Sequence, residues 1–260
     1  MAEVFNYDSD TVVAGTDGDD TIGNDRDGVT IKALDGNDLI RNSGTNVSID
    51  AGSGEDGIYN YGGSNVIIDM GNENDYVYSD GNNVSINAGS GNDFIDNYGG
   101  ANLTIDGEDG ADTVYNVGGS NITIDAGRGN DSINNVSSVG GYYDEETETW
   151  IENETLTPDN MSIVGGEGDD TILNEGGNNL RIKYTSGDGN DLIQGFREDS
   201  TLQIGDGTGT YSTVASGDDI IVTVGEGSIT LGGTATLTTV NIFGMLVDDT
   251  HPAESDTILG

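Results

Sequence analysis

The stretch GSGNDFIDNYGGANLTIDG, residues 89–107, is one complete structural unit and decides the fold. Gly89, Gly91 and Asp93 read as a tight first turn. Beyond it side chains alternate, so Ile95 and Asn97 face inward and Phe94 and Asp96 outward. A second turn, YGGAN, leads to Leu103 and Ile105, again inward, with Thr104 and Asp106 facing out. The aspartate of this unit recurs at Asp20, Asp38, Asp56, Asp75, Asp93, Asp112, Asp131, Asp170 and Asp191, most often 18 or 19 residues apart. That interval is the length of one solenoid coil.

The apolar positions keep the same beat. Ile40, Ile58, Val77, Ile95, Val114 and Ile133 form one file, opposed by the pairs Val47 and Ile49, Val66 and Ile68, Val84 and Ile86, and Ile122 and Ile124. An all-β, right-handed parallel β-roll or β-helix with coils of 18–19 residues is expected, its short strands pairing with the coils above and below. The core is thin. Each buried aliphatic side chain contributes roughly 1.5–3 kcal/mol against roughly 1–2 kcal/mol of backbone entropy per ordered residue, so burial alone does not hold a coil.

Two asparagine files accompany the aspartates. Asn42, Asn60, Asn97, Asn116, Asn135 and Asn174 stand four residues after the repeating aspartate, with Ser79 substituting once; Asn46, Asn65, Asn83, Asn102, Asn121, Asn160 and Asn179 stand at the second turn. Amides both donate and accept, so these files are predicted to be hydrogen-bonded ladders.

Composition narrows function. The 260 residues hold 43 glycines and 33% hydrophobic residues, with 48 acidic side chains against 7 basic ones, a formal charge of -41. Such a field disfavours nucleic acid and anionic membrane and favours metal cations as counterions. There is no cysteine, hence no disulfide and no thiolate zinc site. No apolar run is long enough to span a bilayer, and MAEVFNYDSD lacks the basic and apolar regions of a secretory signal. An intracellular chain, a fragment, or export without an N-terminal signal is expected.

The first turns read DGND, SGED, SGND, RGND, EGDD and DGND. Glycine lets a tight turn aim carbonyl oxygens at one point, and the terminal aspartate adds a carboxylate. Hard oxygen donors without histidine or cysteine point to Ca2+, several ions, each shared by the turns of two adjacent coils because one turn supplies too few oxygens. The expected ligand-bearing positions are Gly18, Asp20, Gly36, Asp38, Gly52, Gly54, Asp56, Asp75, Gly89, Gly91, Asp93, Asp112, Gly127, Gly129, Asp131, Gly166, Gly168, Asp170, Gly187, Gly189 and Asp191. Asn72 to Asn74 and Glu108 to Ala111 depart from the glycine pattern, so the sites at Asp75 and Asp112 are expected to be weak or vacant. Asparagine replaces aspartate at the second turn, which confines the calcium row to one edge.

The segments GTDGDDTI, ALDGNDLI, AGSGNDFI, GGEGDDTI and SGDGNDLI resemble the haemolysin-type nonapeptide repeats of RTX proteins over about residues 15–198. The resemblance implies a calcium-bound parallel β-roll, secretion or display at the bacterial surface, and type I export directed by a C-terminal signal. Residues 180–242 resemble the non-repetitive segment that often follows such repeats. The predicted organisation is a roll over 1–198 with an insertion at about 136–159, a β-rich cap over 199–247, and a tail over 248–260. Its last residues, SDTILG, read as a turn cut short, as in a fragment or a unit of a longer array.

The insertion carries Trp150, Tyr142 and Tyr143 among acidic residues, a surface for a glycan or cell-surface partner or a flap folded back over the roll. An enzyme is disfavoured. His251 is the only histidine, there is no HExxH motif, and carboxylate-based polysaccharide cleavage lacks basic groups in the insertion to hold an acidic sugar. Ser48, Ile67, Ser85, Thr104, Thr123 and Ser162 form a short-chained outward file open to an adhesive role on glycans or ice. The leading expectation is a non-enzymatic, monomeric calcium-binding structural module.

Overall fold

In the computed structural model, residues 2–144, 149–207, 209–246 and 256–258 are described, with backbone alone for 138–144, 149–156, 246 and 256–258. The chain winds into a parallel β-solenoid in which alternate strands belong to two facing sheets. Glu3–Asn6, Thr21–Asn24, Leu39–Asn42, Gly57–Asn60, Tyr76–Ser79, Phe94–Tyr98, Thr113–Val117, Ser132–Val136, Thr171–Glu175 and Asn190–Gln194 run parallel in the first sheet. The second is built from the intervening strands, beginning Val12–Ala14 and Thr30–Lys32 and continuing through Asn178–Tyr184 and Thr201–Ile204 to Val240–Phe243.

Stacking in register aligns chemically equivalent residues. Ile40, Ile58, Val77, Ile95, Val114 and Ile133 pair in succession and are at most 1% exposed. Val66, Val84, Leu103 and Ile122 close the core from the other sheet. The outward file Ser48, Ile67, Ser85, Thr104, Thr123 and Ser162 is likewise in register.

The insertion leaves the stacking intact. Ser138–Asp144 and Thr149–Leu156 form an antiparallel hairpin, and Ser132–Val136 still pairs with Thr171–Glu175 beyond it. The side chains of Tyr142, Tyr143 and Trp150 lie outside the described residues, as does His251.

The C-terminal segment extends both sheets and then reverses direction. Gly227–Gly232 continues the first sheet in parallel, after which Asp219–Val224 and Thr210–Ser216 add antiparallel strands. In the second sheet Asp256–Ile258 lies antiparallel on Val240–Phe243. The two-residue loops Gly225–Glu226 and Gly217–Asp218 each begin with a glycine at positive φ, the conformation tight hairpins favour. Among the described residues the only helical piece is a 3-10 turn, Thr234–Thr236, and no helix is long and apolar enough to cross a membrane.

Candidate metal-binding edge and its amide counterpart

The repeating aspartates lie two residues before the core isoleucine or valine, so strand alternation turns them inward at the first turn. All nine are buried. The backbone N–H of each of the first eight donates to Oδ1 of its counterpart in the next coil: Asp20 to Asp38, Asp38 to Asp56, Asp56 to Asp75 and Asp75 to Asp93, each at 2.7 Å. Asp93 to Asp112, Asp112 to Asp131, Asp131 to Asp170 and Asp170 to Asp191 continue the ladder at 2.7–3.1 Å. The other oxygen has no such partner. Oδ2 of Asp38, Asp56, Asp75, Asp93, Asp112, Asp131 and Asp170 is buried without a hydrogen bond.

Seven orphaned carboxylate oxygens in one row are costly in a low-dielectric interior. Burial pushes the acids up, to about 6 for Asp38, Asp56, Asp93 and Asp131, about 7 for Asp112 and Asp170, and about 8 for Asp75 and Asp191. Neighbouring aspartates add repulsion at Asp75, Asp112 and Asp191, while the amide bond from the preceding coil opposes the shift. Asp20 differs. Its Oδ1 accepts from the Ala2 N–H at 2.6 Å and its Oδ2 from the Thr16 N–H and hydroxyl, so its pKa is lowered, chiefly by the Ala2 amide.

The glycines of the turn serve close stacking. A Cβ on Gly110, Gly129 or Gly168 would collide with the carbonyl oxygen of Gly91, Gly110 or Gly129 in the coil before it, and all three adopt positive φ. At the turn entrance, Asp112 Oδ2 and the Ala126 carbonyl oxygen converge on the space a Cβ of Gly107 would fill; Asp20 Oδ2 and the Ala33 carbonyl oxygen do so at Gly15. Among the described residues no three acidic or imidazole side chains gather to hold a metal by themselves. A cation on this edge would draw on one or two carboxylates completed by turn carbonyls, the hard-oxygen set that suits Ca2+.

All the predicted aspartates thus share one edge, and the glycines flank them in the turns. The two irregular turns keep the geometry. Glu73 takes the glycine position before Asp75 at φ 74, accepting from the Gly54 N–H at 3.0 Å, and Glu108 stands at φ 62 before Asp112. Sequence reasoning missed the clamp of Thr16 on Asp20. Its signal was a β-branched residue at a turn position that other coils fill mainly with glycine.

The opposite edge carries two amide ladders. In the inner one Nδ2 donates forward, Asn24 to Asn42 and Asn42 to Asn60 at 2.8 Å, then Asn97 to Asn116, Asn116 to Asn135 and Asn135 to Asn174 at 2.7 Å. Ser79 accepts from Asn60 but does not reach Asn97, whose Oδ1 is left unpaired. In the outer ladder Nδ2 donates backward, from Asn65 to Asn46, Asn83 to Asn65, Asn102 to Asn83 and Asn121 to Asn102. Every outer asparagine adopts positive φ, 52–57°, a conformation asparagine tolerates in turns.

No protein-family model matches the chain, and no curated protein does. Among solved structures it is similar to the extracellular lipase LipA from Serratia marcescens, at 15% identity and a TM-score of 0.32, over 88% of this chain. The chain spans 38% of that protein's length.

Proposed function

We propose that the chain is a non-enzymatic calcium-binding structural module of the RTX haemolysin type, belonging to a secreted or surface-displayed bacterial protein exported by a type I route. The observation that carries this reading is the row of seven buried, unpartnered Oδ2 atoms. Ca2+ bound there supplies the positive charge that lets stacked carboxylates remain ionised in the interior. The residues that would hold it are Asp38, Asp56, Asp75, Asp93, Asp112, Asp131, Asp170 and Asp191, with carbonyl oxygens of the glycine turns in adjacent coils. Asp20, satisfied by Thr16 and Ala2, closes the row.

Folding is then coupled to calcium. Where calcium is scarce the carboxylates repel and the chain stays extended enough for export; where it is abundant, binding free energy becomes folding free energy. The glycine and asparagine turns position and space the coils, and no residue has a role in turnover. A far-UV circular dichroism titration at pH 8 tests the reading. Calcium added to EDTA-treated protein is expected to produce a cooperative gain of β signal that magnesium does not reproduce. An equally β-rich, equally cooperative spectrum in EDTA would overturn it.

A further inference from the structure

The outward face of the first sheet bears an aromatic ridge that the calcium edge does not explain. Phe94 stacks on Tyr76 with centroids 5.8 Å apart, Tyr76 meets Tyr59 at 5.5 Å, Tyr59 stacks on Tyr61 at 5.8 Å, and Tyr61 meets Tyr78 at 5.7 Å. Exposed aromatic surface on this scale marks an interaction site. The ridge has one notch. Along the file Arg41, Tyr59, Tyr78, Asp96, Tyr115 the register places Asp96 between Tyr78 and Tyr115.

Aspartate is much shorter than tyrosine, so the register sets one short carboxylate side chain between two phenols on this face. At about 4.8 Å per coil the two phenols are roughly 10 Å apart, and a planar group needs about 3.5–4 Å of clearance on each face. No hydrogen bond or ion pair reaches the Asp96 carboxylate among the described residues. Asp80, which accepts from the Gly62 N–H, stands on the other side of Tyr78 and adds to the negative field there.

We propose that this notch receives an arginine side chain from a basic segment of a partner protein. The guanidinium is planar, pairs bidentately with a carboxylate and stacks on aromatic rings, which an ammonium does less well. The molecule shows the same pairing in this very file: the Arg41 guanidinium carbon lies 5.9 Å from the Tyr59 ring centroid. Charge selects the class of partner. A field of -41 draws basic segments and repels a second copy of the chain or an anionic glycan. A neutral sugar gains nothing from the Asp96 charge, which favours a cationic side chain.

Titration calorimetry of the calcium-loaded full chain in 0.3 M salt, with the peptide GRGRG, its lysine counterpart GKGKG and a neutral oligosaccharide, tests the notch. The arginine peptide is expected to bind at least fivefold more tightly than the lysine peptide. Asp96→Asn and Tyr115→Leu should each weaken it tenfold or more, with circular dichroism unchanged. Asp106→Asn removes the same charge from the other sheet and should change affinity less than twofold. Equal losses for Asp96→Asn and Asp106→Asn, absence of arginine preference, or binding of the oligosaccharide in place of the peptide would overturn the proposal.

Discussion

The two edges of the roll solve one geometric problem with different chemistry. Each stacks a short polar side chain in register, coil upon coil. On the amide edge each asparagine donates to one neighbour and accepts from another, so the stack is nearly self-sufficient. On the carboxylate edge an ionised aspartate only accepts; the backbone serves Oδ1, and at seven of the nine positions nothing among the described residues serves Oδ2. Register makes a ladder possible, but donor count decides whether it stands alone or needs a cation or a proton.

The largest expected effect that separates the edges is pH. Within the repeating row, seven of the eight raised aspartates have an unpaired oxygen, and these eight are pushed up to between about 6 and about 8, while in the unfolded chain they return to about 4. The calcium-free fold therefore binds more protons than the unfolded chain in this window, and its stability is present below about pH 4 and lost as pH rises through 6 to 8. Thermal melts in EDTA should show β structure at pH 4 and none at pH 8.5; in calcium the melting temperature at pH 8.5 should recover. A flat profile in EDTA would remove the distinction.

Exchanging the chemistries is the next test. Asn116→Asp places a carboxylate against the Gly118 carbonyl and the Asn135 amide oxygen, and the uncompensated buried charge should cost about 3–5 kcal/mol in urea denaturation with or without calcium. Asp93→Asn should do the reverse, stabilising the calcium-free fold at pH 8 while shrinking the gain from calcium. The smallest effect concerns the break in the amide ladder. Ser79→Asn should supply Asn97 Oδ1 with its missing donor and add about 1 kcal/mol, read as a shift in urea midpoint.

The coil was legible because both periods involved are short and strict: alternation within the strand, and 18–19 residues between Ile58, Val77, Ile95 and Val114. The aspartate row was legible as a row. That Oδ1 is held by the amide of the preceding coil was not, because a backbone donor leaves no trace in the pattern of side chains. The aromatic ridge was not legible, since Tyr59, Tyr76 and Phe94 lie 17–18 residues apart and become neighbours only through stacking of the coils. The β character of the C-terminal segment was legible, while the reversal of its strands was encoded in the leading glycines Gly217 and Gly225.

The inner amide ladder donates toward the C-terminus and the outer one toward the N-terminus. A single file of aligned amides adds its dipoles head to tail, so partial charge of opposite sign would build at its two ends as the stack lengthens. Two files running in opposite senses cancel. The amide edge can therefore be lengthened coil by coil without its two asparagine files building a net dipole along the axis of the roll.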